Sequence, residues 1–192
     1  MISDKMREFL RGINDQLPLQ LGVVPFGLVF GVLGIASGLS PLQTILMSSI
    51  VFGGASQVVF AQLWATGASP LIVGSSVAVI NLRHLLYSAA VAKYLRPLPL
   101  RWRIVLGYLL TDEAFAISIK RFETTDRPDL ANYHLLGSGL TLWVCWQIAT
   151  VVGVQAGAII PMESNLGFAI PLTFMTLVLP NLRRLSDIAA AT

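Results

Sequence analysis

From Leu19 to Leu179 the sequence is a succession of six apolar runs, at 19–36, 42–65, 71–92, 102–119, 134–160 and 166–179, joined by short polar or proline-bearing loops. A hydrocarbon layer about 30 Å thick needs about 20 apolar residues per helix, and these runs lack the period-two alternation of a membrane-spanning strand. The expectation is an all-α integral membrane protein, a polytopic helical bundle. Composition agrees: 55% of residues are hydrophobic, 12% are charged, and the mean hydropathy is +0.72.

Ahead of the first run, Ile2, Met6, Phe9, Leu10, Ile13 and Leu17 recur at helical spacing, opposite Asp4, Lys5, Arg7, Glu8, Arg11 and Asp15. That pattern predicts an interfacial amphipathic helix over 1–18, a transmembrane domain over 19–182 and a short cytoplasmic tail over 183–192. The first segment mixes both charge signs and lacks a clear cleavage site, so it is expected to be retained rather than removed as a secretory signal. In the first apolar run, Gly27/Gly31 and Gly34/Gly38 place small residues on shared helix faces where another helix can come close. Pro25 removes a backbone donor there and predicts a kink or local unwinding.

Two runs are interrupted. Phe52-Gly53-Gly54-Ala55-Ser56-Gln57 breaks 42–65, and Thr111-Asp112-Glu113 breaks 102–119. The placement of Lys and Arg bears on how these segments run. Three fall in the N-terminal segment, none in 37–41 or 66–70, four in 93–103, three in 120–134, and two after 180. If all six runs crossed, loop 93–103 would lie opposite the N-terminus, against the tendency of short basic loops to stay cytoplasmic. The conflict vanishes if 42–65 and 102–119 are broken or re-entrant segments, entering from opposite sides with their tips near the midplane. An offset of 56 residues lays Pro41 on Pro97, Ala36 on Ala92 and Ser56-Gln57 on Asp112-Glu113, a trace compatible with an inverted repeat.

Charge inside the apolar runs is the clearest functional signal. A charged side chain at bilayer depth costs at least about 2.5–3.5 kcal/mol on insertion scales, so it needs partners or water and commonly marks a transport path. Arg83, His84, Asp112 and Glu113 are such residues, with Asn81, Tyr87, Ser56, Gln57 and Thr111 as neutral hydrogen-bonding companions. In the functional reading Arg83, Asn81, Gly53, Gly54, Ser56, Gln57 and Tyr87 bind substrate, and Asp112, Glu113 and His84 carry a coupling proton. Arg83, or amides freed near Gly53 and Gly54, would hold a carboxylate; Asp112 or Glu113 would face an ammonium; Phe52, Val58 and Phe115 would line an apolar pocket. The competing reading is a buried ion pair that only holds helices together.

Other classes find little support. There is no His-Glu-x-x-His, Gly54-Ala55-Ser56-Gln57-Val58 lacks the second glycine of a nucleophile elbow, and Gly53-Gly54 is not followed by a phosphate-loop signature. An intramembrane hydrolase built on Ser56 and a histidine is the weaker enzymatic alternative; the expectation is no enzyme, no cofactor and no metal. Cys145 is the one cysteine, so it forms no internal disulfide and reads as a packing residue, as Trp64, Trp102, Trp143 and Trp146 read as packing or interface anchors. The net charge of +3 sits in short loops, where it sets orientation and implies no nucleic-acid partner.

Five ordered motifs then resemble a known family: Pro25-Phe26-Gly27, Gly38-Leu39-Ser40-Pro41, Phe52 to Gln57, Asn81-Leu82-Arg83-His84 with Leu86-Tyr87-Ser88, and Leu110-Thr111-Asp112-Glu113 with Phe115-Ala116. Over about 17–179 the chain resembles the AzlC family. The resemblance implies the large subunit of a two-component exporter of branched-chain amino acids in the bacterial inner membrane, multi-pass with a cytoplasmic N-terminus. It also implies a small AzlD-type membrane subunit as partner, with protons as coupling ion and self-association as further expectations. The alternative from a different class is a non-transporting structural membrane subunit. Family members continue with another apolar stretch beyond the position of Asn181 to Arg184.

Overall fold

The computed structural model describes residues 3–125 and 127–159, so the run 166–179 and the tail 183–192 lie outside the described residues. The described chain forms the helices α1 (Asp4–Gln16), α2 (Gln20–Ala36), α3 (Pro41–Val51), α4 (Gly54–Ala65), α5 (Pro70–Leu95), α6 (Leu100–Leu109), α7 (Asp112–Thr124) and α8 (Pro128–Ile159), with a 3-10 turn over Leu17–Leu19.

Their starts are written locally. Ser40 accepts from the Gln43 amide while the Gln43 side chain accepts from the Ser40 amide, a reciprocal cap completed by Pro41 in the first turn. At α5 Ser69 accepts from the Ile72 amide with Pro70 in the first turn, without the reciprocal bond, and Ser3 caps α1. Pro25, expected to unwind the first apolar run, instead sits inside a continuous α2; the irregular turn is at Pro18. The physical reason is position. Pro25 lies in the second turn of α2, where its missing N–H and ring disturb only the carbonyl four residues back, at Leu21 near the helix start.

Among the described residues, three stretches are long and apolar enough to cross a membrane: Asp4–Ala36 (33 residues), α5 (26 residues) and Asp129–Ile159 (31 residues). The first and last run parallel along a seam of small residues. Gly12 meets His134 and Ser138, Gly27 meets Trp146 and Ala149, and Gly31 meets Thr150 and Val154. A Cβ on Gly31 would collide with the Thr150 carbonyl, and one on Gly153 with the Leu28 carbonyl, so the backbones approach more closely than any side chain allows. Of the second small pair, Gly34 faces Thr44 of α3, while Gly38 lies past the end of α2 at φ 82°. The segment expected at the interface, α1, packs against α8 and α7, with Arg121 Nε donating to Glu8 Oε2 at 2.9 Å.

The two interrupted runs are re-entrant hairpins. Along α3 the chain moves from Thr44, beside Gly34, to Phe52, clustered with Val23 and Phe30; along α4 it returns from Gly54, beside Phe26, to Val58 and Ala61, clustered with Leu33. Both ends of this hairpin therefore lie toward the end of the bundle where α2 finishes. The second hairpin enters from the opposite end. Trp102 of α6 contacts Tyr133, Leu109 reaches Gly139 and Leu142, and α7 then returns through Ser118 beside Ser138 to Phe122, stacked on Tyr94 at 4.7 Å. α5 runs between them, from the Pro70 end to the Leu95 end.

The tips meet near the middle. The Phe52 and Tyr108 rings lie 5.7 Å apart, the Tyr108 hydroxyl donates to the Ser49 carbonyl, and Trp143 Nε1 donates to the Tyr108 oxygen at 2.7 Å. On α8, Thr150 bonds Ser48 at 3.0 Å and Gln147 bonds both the Ser48 carbonyl and the Ser49 hydroxyl, fixing the first hairpin to the seam helix. Lys5, Tyr133, Trp102, Tyr94, Phe122 and Arg121 mark one end of the bundle, so Lys and Arg of α1, α6, α7 and the end of α5 gather there. The loops at the other end, 37–40 and 66–69, contain none.

Candidate functional site

Where the tips meet, a cavity of about 400 Å³ opens, within the usual range of small-molecule sites. Its walls come from five places. α2 supplies Leu19, Gly22, Val23 and Phe26 with the preceding turn; the first hairpin supplies Phe52 to Ala55; α5 supplies Arg83 and His84; the second hairpin supplies Thr111, Asp112 and Glu113. Leu142 and Trp146 of α8 close it.

The first break forms because Phe52 turns into the left-handed region at φ 32°, ending α3, and Gly53 at φ −151° then leads directly into α4. Gly53 is packed between Ser56 and Asn81: a Cβ built on it would lie 2.9 Å from Ser56 Oγ and 3.0 Å from Asn81 Oδ1, so a larger residue there requires those side chains to shift. The Gly53 carbonyl accepts from the Ser56 amide at 2.8 Å, the Gln57 amide at 3.2 Å and the Ser56 hydroxyl at 2.6 Å. The amides of Gly54 and Ala55, at the start of α4, have no intrahelical acceptor and no side-chain cap, so the positive end of the helix faces the cavity.

The second break leaves Leu110 and Thr111 between helices and starts α7 with Asp112 and Glu113 in its first turn. Asp112 is fully engaged. Arg83 Nη1 lies 2.6 Å from its Oδ2, and the Tyr87 hydroxyl donates to its Oδ1 at 2.6 Å. The Arg83 and Asp112 side chains keep 29% and 37% of their surface, so the pair is reachable from the cavity rather than sealed in the bundle. Tyr87 is held in turn by stacking on Phe115 at 4.6 Å. Glu113 faces the same cavity and forms no ion pair among the described residues.

Four buried polar atoms on residues lining the cavity lack a hydrogen-bond partner: Arg83 Nε, His84 Nε2, Thr111 Oγ1 and Trp146 Nε1. Buried polar groups are rarely left unmatched, and a concentration of them around one space fits a polar guest. The cavity thus has a positive rim at α4, a negative rim at Asp112 and Glu113, and an apolar wall of Val23, Phe26, Phe52 and Leu142.

The residues singled out from the sequence divide clearly. Gly53, Gly54, Arg83, His84, Asp112 and Glu113 line the cavity; Asn81 stands behind Gly53, and Tyr87 reaches the site through Asp112. Ser56 braces the loop, and Gln57 is fully buried without a partner for either amide atom; neither lines the cavity. Of the apolar candidates, Phe52 lines it, Val58 packs against Leu33 and Ala61, and Phe115 backs Tyr87. Sequence reasoning missed Val23, Phe26, Leu142 and Trp146. An aromatic or aliphatic residue in an apolar run has no local mark that separates a cavity wall from a lipid face.

The fold and the site define a helical membrane protein in which, among the described residues, two opposed re-entrant hairpins meet at a polar cavity beside three long apolar helical stretches. The AzlC protein family model matches residues 18–160, and the chain belongs to that family. It is 29% identical over 182 residues to the inner membrane protein YgaZ of Escherichia coli (strain K12), covering 92% of this chain and 74% of that protein. It is 33% identical over 183 residues to a membrane protein of Archaeoglobus fulgidus, covering 93% and 78%. No solved structure matches the chain.

Proposed function

We propose that this chain is the pathway-bearing subunit of a secondary transporter that exports branched-chain or similar apolar amino acids across the bacterial inner membrane, coupled to protons and assisted by a small AzlD-type membrane subunit. In this reading it is multi-pass, it catalyses no covalent chemistry, and its basic end, with the N-terminus, is cytoplasmic.

One observation carries the proposal: a single cavity sets the uncapped start of α4 against Glu113, with apolar residues between them. A zwitterionic amino acid has complementary parts. Its carboxylate fits the Gly54 and Ala55 amides, its ammonium fits the acidic rim, and its side chain fits Phe26, Phe52 and Leu142. Because Arg83 and Tyr87 already hold Asp112, Glu113 is the carboxylate left to meet the ammonium or carry the proton.

The test is efflux of leucine and valine from loaded vesicles containing the chain and its small partner. Glu113→Gln is expected to lower efflux at least tenfold while leaving the yield of folded protein unchanged. Asp112→Asn is expected to lower both, because it strips Arg83 of its partner. Wild-type efflux from Glu113→Gln together with Arg83→Ala would overturn the assignment. The alternative, a structural subunit, draws support from the satisfied Arg83–Asp112–Tyr87 cluster; direct binding of leucine to the purified chain separates the two readings.

A further inference from the structure

Away from the central cavity, α5 and α6 diverge around a second space of about 650 Å³. Its inner part is lined by small or apolar groups, Ser88, Ala89 and Ala92 on α5 with Gly107 on α6 and Leu110 just past its end. Its mouth carries Lys93, Arg96 and Arg103. No acidic residue lines it, and these three cations form no ion pair among the described residues.

We propose that this groove binds one anionic phospholipid, the phosphate at Lys93, Arg96 and Arg103 and an acyl chain lying between the two helices. The shape selects the occupant. From Arg96 down to Ser88 is eight residues of helix, about 12 Å at 1.5 Å per residue. A slot of that length beginning at headgroup level is enough for an acyl chain, which needs no continuous helix face. The space beside Gly107 is open, since a Cβ built there meets nothing within 4 Å. The charge selects the headgroup: clustered Lys and Arg at the end of membrane helices, without counterions, recognise anionic lipid. The small exposed surfaces of Ala89 and Ala92 are what a methylene chain can lie against.

The site also touches the transport machinery without belonging to it. Leu110, at the floor of the groove, directly precedes Thr111, which lines the central cavity. A lipid seated there supports α6 against α5 and so steadies the second break.

Native mass spectrometry of the detergent-purified chain, offered equal amounts of phosphatidylglycerol and phosphatidylcholine, tests the proposal. The expected result is at least tenfold preferential retention of phosphatidylglycerol, with none for glycerol 3-phosphate, which supplies the anion without the chain. The triple variant Lys93→Gln, Arg96→Gln, Arg103→Gln is expected to fall to the phosphatidylcholine level. Gly107→Leu fills the slot with every charge kept, and is expected to lose retention while staying monodisperse and helical by circular dichroism. Should Gly107→Leu fail to fold, Ala89→Leu fills the slot from the other helix. Equal retention of both lipids by wild type, or undiminished phosphatidylglycerol retention by the triple variant or by the slot-filling variant, overturns the proposal. None of these outcomes depends on which solute the central cavity carries.

Discussion

Tyr87 has a polar duty, its hydrogen bond to Asp112, and an apolar one, its stack on Phe115 and edge-on contact with His84. Tyr87→Phe keeps the second and removes the first. A hydrogen bond to a charged group is worth about 1.5–3 kcal/mol, so the variant is expected to unfold several degrees lower in a thermal scan of the detergent-solubilised protein. An unchanged midpoint would show that water replaces the hydroxyl at no cost. At this scale the sequence announced Arg83, Asp112 and Glu113, because a charge in an apolar run is expensive and therefore conspicuous. It misplaced Ser56 and Gln57 because the helical phase restarts at the break: where Gly53 turns decides which way the next turn of α4 faces, and no pattern on either side records that. His134 went unremarked for a related reason. It is fully buried, with Nε2 3.0 Å from Asp15 Oδ2 and Nδ1 3.5 Å from the Ser118 hydroxyl, partners drawn from helices far apart in sequence.

Among the elements, the seam between the α1–α2 stretch and α8 is the most sensitive to added volume. At Gly31 the first new atom meets backbone, which has no rotamer by which to step aside. Gly31→Ala is expected to cost about 1–3 kcal/mol, the usual penalty for overpacking. Gly74→Ala, on an open face of α5 where a Cβ meets nothing within 4 Å, is expected to leave stability unchanged or raise it. Thermal unfolding of the two variants side by side checks the contrast, and equal midpoints would contradict the seam. The sequence made Gly27 and Gly31 legible as a close-packing face, because small residues four apart share one side of a helix. It made Pro25 look more disruptive than it is, because a proline's effect depends on how many turns precede it.

For the whole molecule, the path was legible from charge read together with the two polar breaks: counting Lys and Arg by loop showed that not every run crosses, and the breaks in 42–65 and 102–119 picked out which two. What charge could not provide was the way the hairpins meet, which depends on Tyr108 and Trp143, neutral residues without a sequence signature. The architecture predicts sidedness directly. After Cys145→Ser, single cysteines at Ser40 and Ser69 are expected to react with an impermeant thiol reagent from one face of the membrane, and cysteines at Arg101 and Thr124 from the other. Labelling of Ser40 and Arg101 from the same side would refute two opposed hairpins.

The bond from Tyr108 to the Ser49 carbonyl also sets a timetable for biogenesis. Ser49 lies in the last turn of α3, where carbonyls have no acceptor duty within their own helix, and an unmet carbonyl in hydrocarbon costs several kcal/mol. The donor that relieves it is made 59 residues later, and the Thr150 hydroxyl that steadies Ser48 comes 102 residues later. The first hairpin to leave the ribosome is therefore among the last parts of the described chain to be completed, and it waits for α8 before it can settle at its final depth.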